Sequence, residues 1–182
     1  RLDAESAFLR EGVAAGVDVP KRGQHLFSYT CGGAHLFQGV AFAVARGHGG
    51  EAERARVAAH VPLWLFRLDS ELRQIDAALQ ARPDYGPILV VQRMKFLGHL
   101  LESLHKLAAM GLWTPSEAEG KRLDYALAQL VATVELIERA GLFAKLPELR
   151  VANEQLYLDY VGDAAHALRG LELAIGQGEV RY

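Results

Sequence analysis

Apolar residues recur at helical spacing along almost the whole of this 182-residue chain, and nowhere does the strict alternation of a half-buried strand stand out. Ala, Leu, Glu, Arg and Gln dominate, and runs of β-branched residues are few. A chain patterned this way has to bury the apolar stripes of helices against other helices. The expected fold is therefore all-α, a single-domain bundle of about six or seven helices joined by short connections that favour antiparallel neighbours. A chain of this length can bury roughly 70% of its unfolded surface, and it carries no internal repeat or low-complexity linker, so one domain over residues 1–182 is the economical organisation.

Glycine and proline set the expected boundaries. A first helix runs from about Asp3 to Ala15 and stops at Gly16, and a second runs from about Cys31 to Ala45 into the turn Gly47-His48-Gly49-Gly50. A third covers about Glu51 to Ala59, and beyond Pro62 a fourth covers about Leu63 to Ala81. After the break at Arg82-Pro83-Asp84 the fifth and most apolar helix spans about Tyr85 to Ala109. Thr114-Pro115-Ser116-Glu117 reads as a start signal with Thr114 as cap for a sixth helix ending near Ala140, and a last helix spans about Glu148 to Ile175.

Charge and length exclude several function classes. The 20 basic and 22 acidic side chains leave a net charge of −2 without a basic patch, so neither nucleic acid nor an anionic membrane surface is an expected partner. The longest apolar candidate, Ile88 to Met110, is broken by Gln92, Arg93, Lys95, His99, Glu102, Ser103, His105 and Lys106, so no membrane span is expected. The lone Cys31 cannot form an intrachain disulfide. The chain starts at Arg1 rather than at methionine and reads as a processed or trimmed product, which leaves the cytoplasm and an exported compartment equally open.

The chemically unusual stretch is Tyr29-Thr30-Cys31-Gly32-Gly33-Ala34-His35. Projected at 100° per residue, Cys31, His35, Gln38 and Phe42 form one narrow stripe on a helix whose other positions, Leu36, Phe37, Val40, Ala41, Ala43 and Val44, are apolar. A helix apolar almost all round is expected to be buried, and its polar groups then need partners inside the fold. Cys31 and His35 stand at i and i+4, a spacing that lets a thiolate and an imidazole converge on one metal ion. Gly32 and Gly33 permit close backbone approach, and Tyr29 and Gln38 add polar groups beside a bound cofactor. Amides at the helix start are expected to lower the thiol pKa.

Other imidazoles of the chain are candidate helpers. Lys95, His99, Glu102 and Lys106 form a polar stripe expected to face solvent, whereas His105 sits on the flank of the apolar face near Met94 and is the expected third ligand. Glu102-Ser103-Leu104-His105 has the Glu-x-x-His spacing of carboxylate-bridged dimetal bundles, and Asp163-Ala164-Ala165-His166 is a looser relative. On the last helix, however, Leu156, Tyr160, Ala164, Leu168 and Leu171 form the expected inward row, which puts Asp159, Asp163 and His166 outside. His48 and His60 have no assignable partner.

The expected function is binding of a metal ion or a metal-containing cofactor such as haem through Cys31, His35 and His105, with Tyr29, Gly32, Gly33 and Gln38 around it. The chain lacks the Cys-x-x-Cys-His pattern of covalent haem attachment. Two alternatives stand beside this reading. One is a non-catalytic helical assembly subunit, a homo-oligomer or a protein partner covering the apolar faces. The other is an enzyme with Cys31 as nucleophile and the Gly32 and Gly33 amides as oxyanion donors.

Overall fold

The computed structural model describes residues 2–17, 31 and 33–180, and every described regular element is helical. The elements are α1 (Leu2–Glu5), α2 (Ala7–Ala15), α3 (Ala34–Ala45), α4 (Glu51–Ala58), α5 (Val61–Ala81), α6 (Gly86–Ala109), α7 (Glu117–Arg139), α8 (Leu146–Ala152) and α9 (Glu154–Ala174), with a 3-10 turn at Pro83–Tyr85. The all-α expectation holds.

Local chemistry adjusts the boundaries. Ser116, not Thr114, caps α7: its hydroxyl accepts from the Glu119 amide at 3.3 Å while the Glu119 carboxylate accepts from the Ser116 amide at 2.8 Å. Asn153 splits the expected last helix into α8 and α9 by accepting from the Leu156 amide at 3.0 Å. Pro62 lies inside the first turn of α5, where its missing N–H costs nothing. His60 also finds a structural place, its Nδ1 on the Arg56 carbonyl at 2.8 Å and its Nε2 on the Ser6 hydroxyl at 3.2 Å, so it ties the N-terminal helices to α5.

Helix α6 is the axis of the bundle and packs on α3, α5, α7 and α9. Its Leu97, Leu100, Leu101, Leu104 and Leu107 are fully buried, each contributing roughly 1.5–3 kcal/mol by removal from water. Helix α9 runs in the same direction as α6, because residue 98 meets residue 167 and residues 98, 101 and 102 meet residue 170. Helix α3 follows the same sense: His35 lies beside His99, Gln38 beside Ser103 and Phe42 beside Lys106. Three parallel helix segments thus share one seam.

Helix α9 is rotated from its expected orientation. It buries Tyr160, Asp163, Ala167, Gly170 and Leu173, while Leu168 is 58% exposed. Small residues decide this. Ala167 and Gly170 let α9 approach α6 at backbone distance, and the gain in packing there outweighs burial of the more apolar row. The same approach closes the stripe of α6 that was expected to be wet: His99 is 1% and Glu102 4% exposed.

Candidate metal centre

The seam between α3, α6 and α9 carries polar side chains in three layers. In the middle layer each helix contributes one imidazole, and the ring centroids of His35, His99 and His166 are 5.0, 5.1 and 3.9 Å apart for the pairs 35–99, 35–166 and 99–166. Their convergence follows from helix register: His35 is in the first turn of α3, His99 is one turn beyond Lys95 on α6, and His166 is one turn beyond Asp163 on α9.

The layer on one side holds Cys31, Lys95 and Asp163. Lys95 Nζ stands 3.6 Å and His99 Nε2 3.9 Å from Asp163 Oδ1. The layer on the other side holds Glu102, Lys106, Gln38 and Ser103. His166 Nδ1 donates to Glu102 Oε2 at 2.6 Å, Lys106 donates to Glu102 Oε1 at 2.5 Å and to Gln38 Oε1 at 3.1 Å, and Gln38 Nε2 donates to Ser103 Oγ at 2.9 Å. A lysine at each end therefore offsets the carboxylate of its layer.

Burial and charge set the protonation states. Burial, reinforced by the neighbouring His166 and His35, pushes His99 down to about 3, so its ring is neutral. Burial also lowers His35, with His166 adding to it. Glu102 is pushed up by burial, but the hydrogen bonds from His166 and Lys106 outweigh this and hold it at about 2, an ionised carboxylate. Asp163 goes the other way: burial raises it to about 6, and the attraction of Lys95 only partly offsets the rise.

Two sets of side chains have donor atoms that all lie within 4.8 Å of one another: Cys31, His35 and His99, and His99, Glu102 and His166. The edge of a tetrahedral sphere with bonds of 2.0–2.3 Å is roughly 3.3–3.8 Å, so a small contraction brings either set onto an ion. Among the described residues, neither nitrogen of His99 has a hydrogen-bond partner. A buried imidazole left in that state costs roughly 1–3 kcal/mol, and metal ligation is one of the few interactions that recovers it.

Several expectations change here. Helix α3 begins at Ala34 with Gly33 as its cap at φ 88°, so Cys31 precedes the helix rather than opening it. Cys31 reaches His99 through a left-handed backbone, φ 51°, a conformation that costs a non-glycine residue on the order of 1 kcal/mol and is concentrated at functional sites. Its thiol is raised, not lowered: burial dominates and Lys95 only partly counters it. The helix-start lowering of the thiol expected for a cysteine nucleophile is therefore not found at Cys31. His35, expected to be buried, is exposed on the open side of the cluster. Gln38 is buried as expected, but Ser103 and Lys106 take up its amide. Gly33 acts as helix cap, while Tyr29 and Gly32 lie outside the described residues.

His105 is not part of either set among the described residues. Six positions on from His99, it points roughly 120° away around the helix. It is partly buried, burial lowers its pKa, and the charge acting on it is Asp124 of α7. The residues that sequence reasoning passed over as ligands are His99, Glu102 and His166. A signal for them exists in the chain: Gly98 and Gly170 mark a close helix contact, and Lys95 and Asp163 are opposite charges placed to meet across it.

Comparison with family models, with curated proteins and with solved structures finds no match for this chain.

Proposed function

We propose that this chain binds a transition-metal ion through Cys31 Sγ and the imidazoles of His35 and His99. The observation that carries the reading is His99: a neutral, buried imidazole with both nitrogens unpartnered, packed against two further imidazoles and within donor distance of a thiol. A structural histidine of a helix core would have its ring nitrogens satisfied, as His60 does. One sulfur and two imidazole nitrogens suit a borderline-soft divalent ion, with Zn²⁺ the best match. Three protein ligands leave a fourth position for water or an exogenous ligand, on the side where His35 is exposed. Ion binding displaces the Cys31 proton, so the raised thiol makes uptake weaker as the pH falls.

A bare ion suits the cluster better than haem. The rings of His99 and His166 are 3.9 Å apart and those of His35 close in at 5.0 and 5.1 Å, a spacing that accommodates a single ion between donors rather than a macrocycle between axial ligands. Cobalt titration tests the reading. Metal-free protein given Co²⁺ is expected to develop a thiolate-to-cobalt charge-transfer band that is absent in Cys31→Ser and in His99→Ala. No such band in the unsubstituted protein would overturn it.

The outer face of α9 favours a second reading, self-association. Leu158, Val161, Leu168 and Ile175 are 54, 43, 58 and 59% exposed and follow spacings of three and seven residues, the seam of a helix that pairs with another. Sedimentation equilibrium of the unsubstituted chain and of Leu158→Glu/Leu168→Glu separates this from a monomer.

A further inference from the structure

Resting on the one-ion reading above, we infer that the centre holds two ions, with His99 as the bridge between them. The two donor sets share His99 and nothing else: Cys31 and His35 complete one, Glu102 and His166 the other. The two nitrogens of an imidazole direct their lone pairs apart, so a histidine common to two sets can serve both only if both nitrogens are free, and among the described residues nothing hydrogen-bonds either nitrogen of His99. The usual claimant for the second nitrogen of a metal-ligating histidine is a carboxylate or carbonyl that accepts its N–H. Asp163 is one such group nearby, but its Oδ1 stands 3.9 Å from His99 Nε2, beyond hydrogen-bond reach, and is drawn to Lys95 at 3.6 Å.

The second set has the chemistry of a site of its own. Glu102 supplies an anionic oxygen and His166 a ring nitrogen, already oriented by their 2.6 Å contact, and Lys106 fixes the other oxygen of Glu102. Every displaced proton has a destination. The first ion takes the thiolate of Cys31, the lone pair of His35 and the lone pair of neutral His99, and releases the thiol proton. The second takes the carboxylate of Glu102, a nitrogen of His166 and the remaining nitrogen of His99, whose proton leaves to solvent. No oxidant or reductant is needed. The soft donor on one side and the carboxylate on the other suit two different metals or two copies of one.

Stoichiometry and magnetic coupling test the bridge separately from the one-ion reading. The metal-free 182-residue chain is titrated with Cu²⁺ and with Zn²⁺ and the bound ions are counted by native mass spectrometry, circular dichroism confirming the fold of each variant. The expected result is two ions per chain, falling to one in Glu102→Gln/His166→Ala and to one in Cys31→Ser/His35→Ala, with the two Cu²⁺ spins coupled through the imidazole so that the ordinary paramagnetic signal is lost. One ion per chain, unchanged by Glu102→Gln/His166→Ala, overturns the bridge and leaves the one-ion reading standing. Two ions with uncoupled spins also overturn the bridge. No ion in any form overturns both.

Discussion

Gly98 of α6 lies so close to Ala167 of α9 that a Cβ at position 98 would stand 2.7 Å from the Ala167 Cα. The clash is with backbone, which cannot rotate away, so any side chain at 98 must drive the two helices apart. Because His99 and His166 depend on that approach, Gly98→Ala is expected to cost about 1–3 kcal/mol and to weaken metal binding at the same time. Thermal melts and a metal titration of this one variant check the coupling, which an unchanged affinity would refute.

The metal-free protein carries in His99 an imidazole with no hydrogen-bond partner among the described residues. Replacing it by an apolar ring of similar shape, His99→Phe, is expected to stabilise the metal-free form by roughly 1–3 kcal/mol, the penalty of an unpaired buried polar group. The same change removes metal-dependent stabilisation. Denaturant melts with and without Zn²⁺ measure both effects, and a destabilised metal-free His99→Phe would mean that the ring has a partner after all.

Protonation of His99 and Asp163 should leave opposing marks on stability. His99 is lowered from 6.5 to about 3 in the fold, so its contribution is complete above pH 6.5 and is lost as the pH falls toward 3. Asp163 is raised from 3.8 to about 6, so the fold takes up its proton first, and the stability it lends is complete below pH 3.8 and lost as the pH rises through 6. Between about pH 4 and 6 the two slopes, each near 1.4 kcal/mol per pH unit, oppose each other. Asp163→Asn is therefore expected to uncover a steep loss of stability on acidification across that window, where the unsubstituted metal-free protein is nearly flat. Equal slopes in the two proteins would contradict the arrangement.

Cys31 should be a sluggish thiol without metal and a protected one with it. Burial raises its pKa, so iodoacetamide is expected to label the metal-free protein at neutral pH more slowly than a free cysteine, and a bound ion should abolish labelling. Fast labelling in both states would favour a nucleophile over a ligand.

Much of this architecture was legible in the sequence. The 3.6-residue periodicity and the glycine and proline breaks fix the class and most boundaries to within a few residues, because both act locally. The stripe Cys31, His35 and Gln38 was likewise read from local spacing, and the structure brings Cys31 and His35 to the same histidine. What local reasoning missed is the environment of α6. Lys95, His99, Glu102 and Lys106 look like a solvated face until α9 covers them, and α9 reaches them only through the absence of side chains at Gly98 and Gly170. The choice of His105 over His99 has the same origin: the flank of an apolar stripe is a guide to burial only when all neighbouring helices are apolar too. The more apolar row of α9, with Leu168, loses to the smaller one for the same reason.

Metal content tests the centre most directly. Protein purified without chelator and analysed by inductively coupled plasma mass spectrometry should carry at least one equivalent of a divalent transition metal. That content is expected to fall by an order of magnitude or more in His99→Ala, the range seen when a ligand or its support is removed, and to be retained in His105→Ala. Equal content in the unsubstituted protein and His99→Ala, or loss in His105→Ala instead, would contradict a centre built on His99.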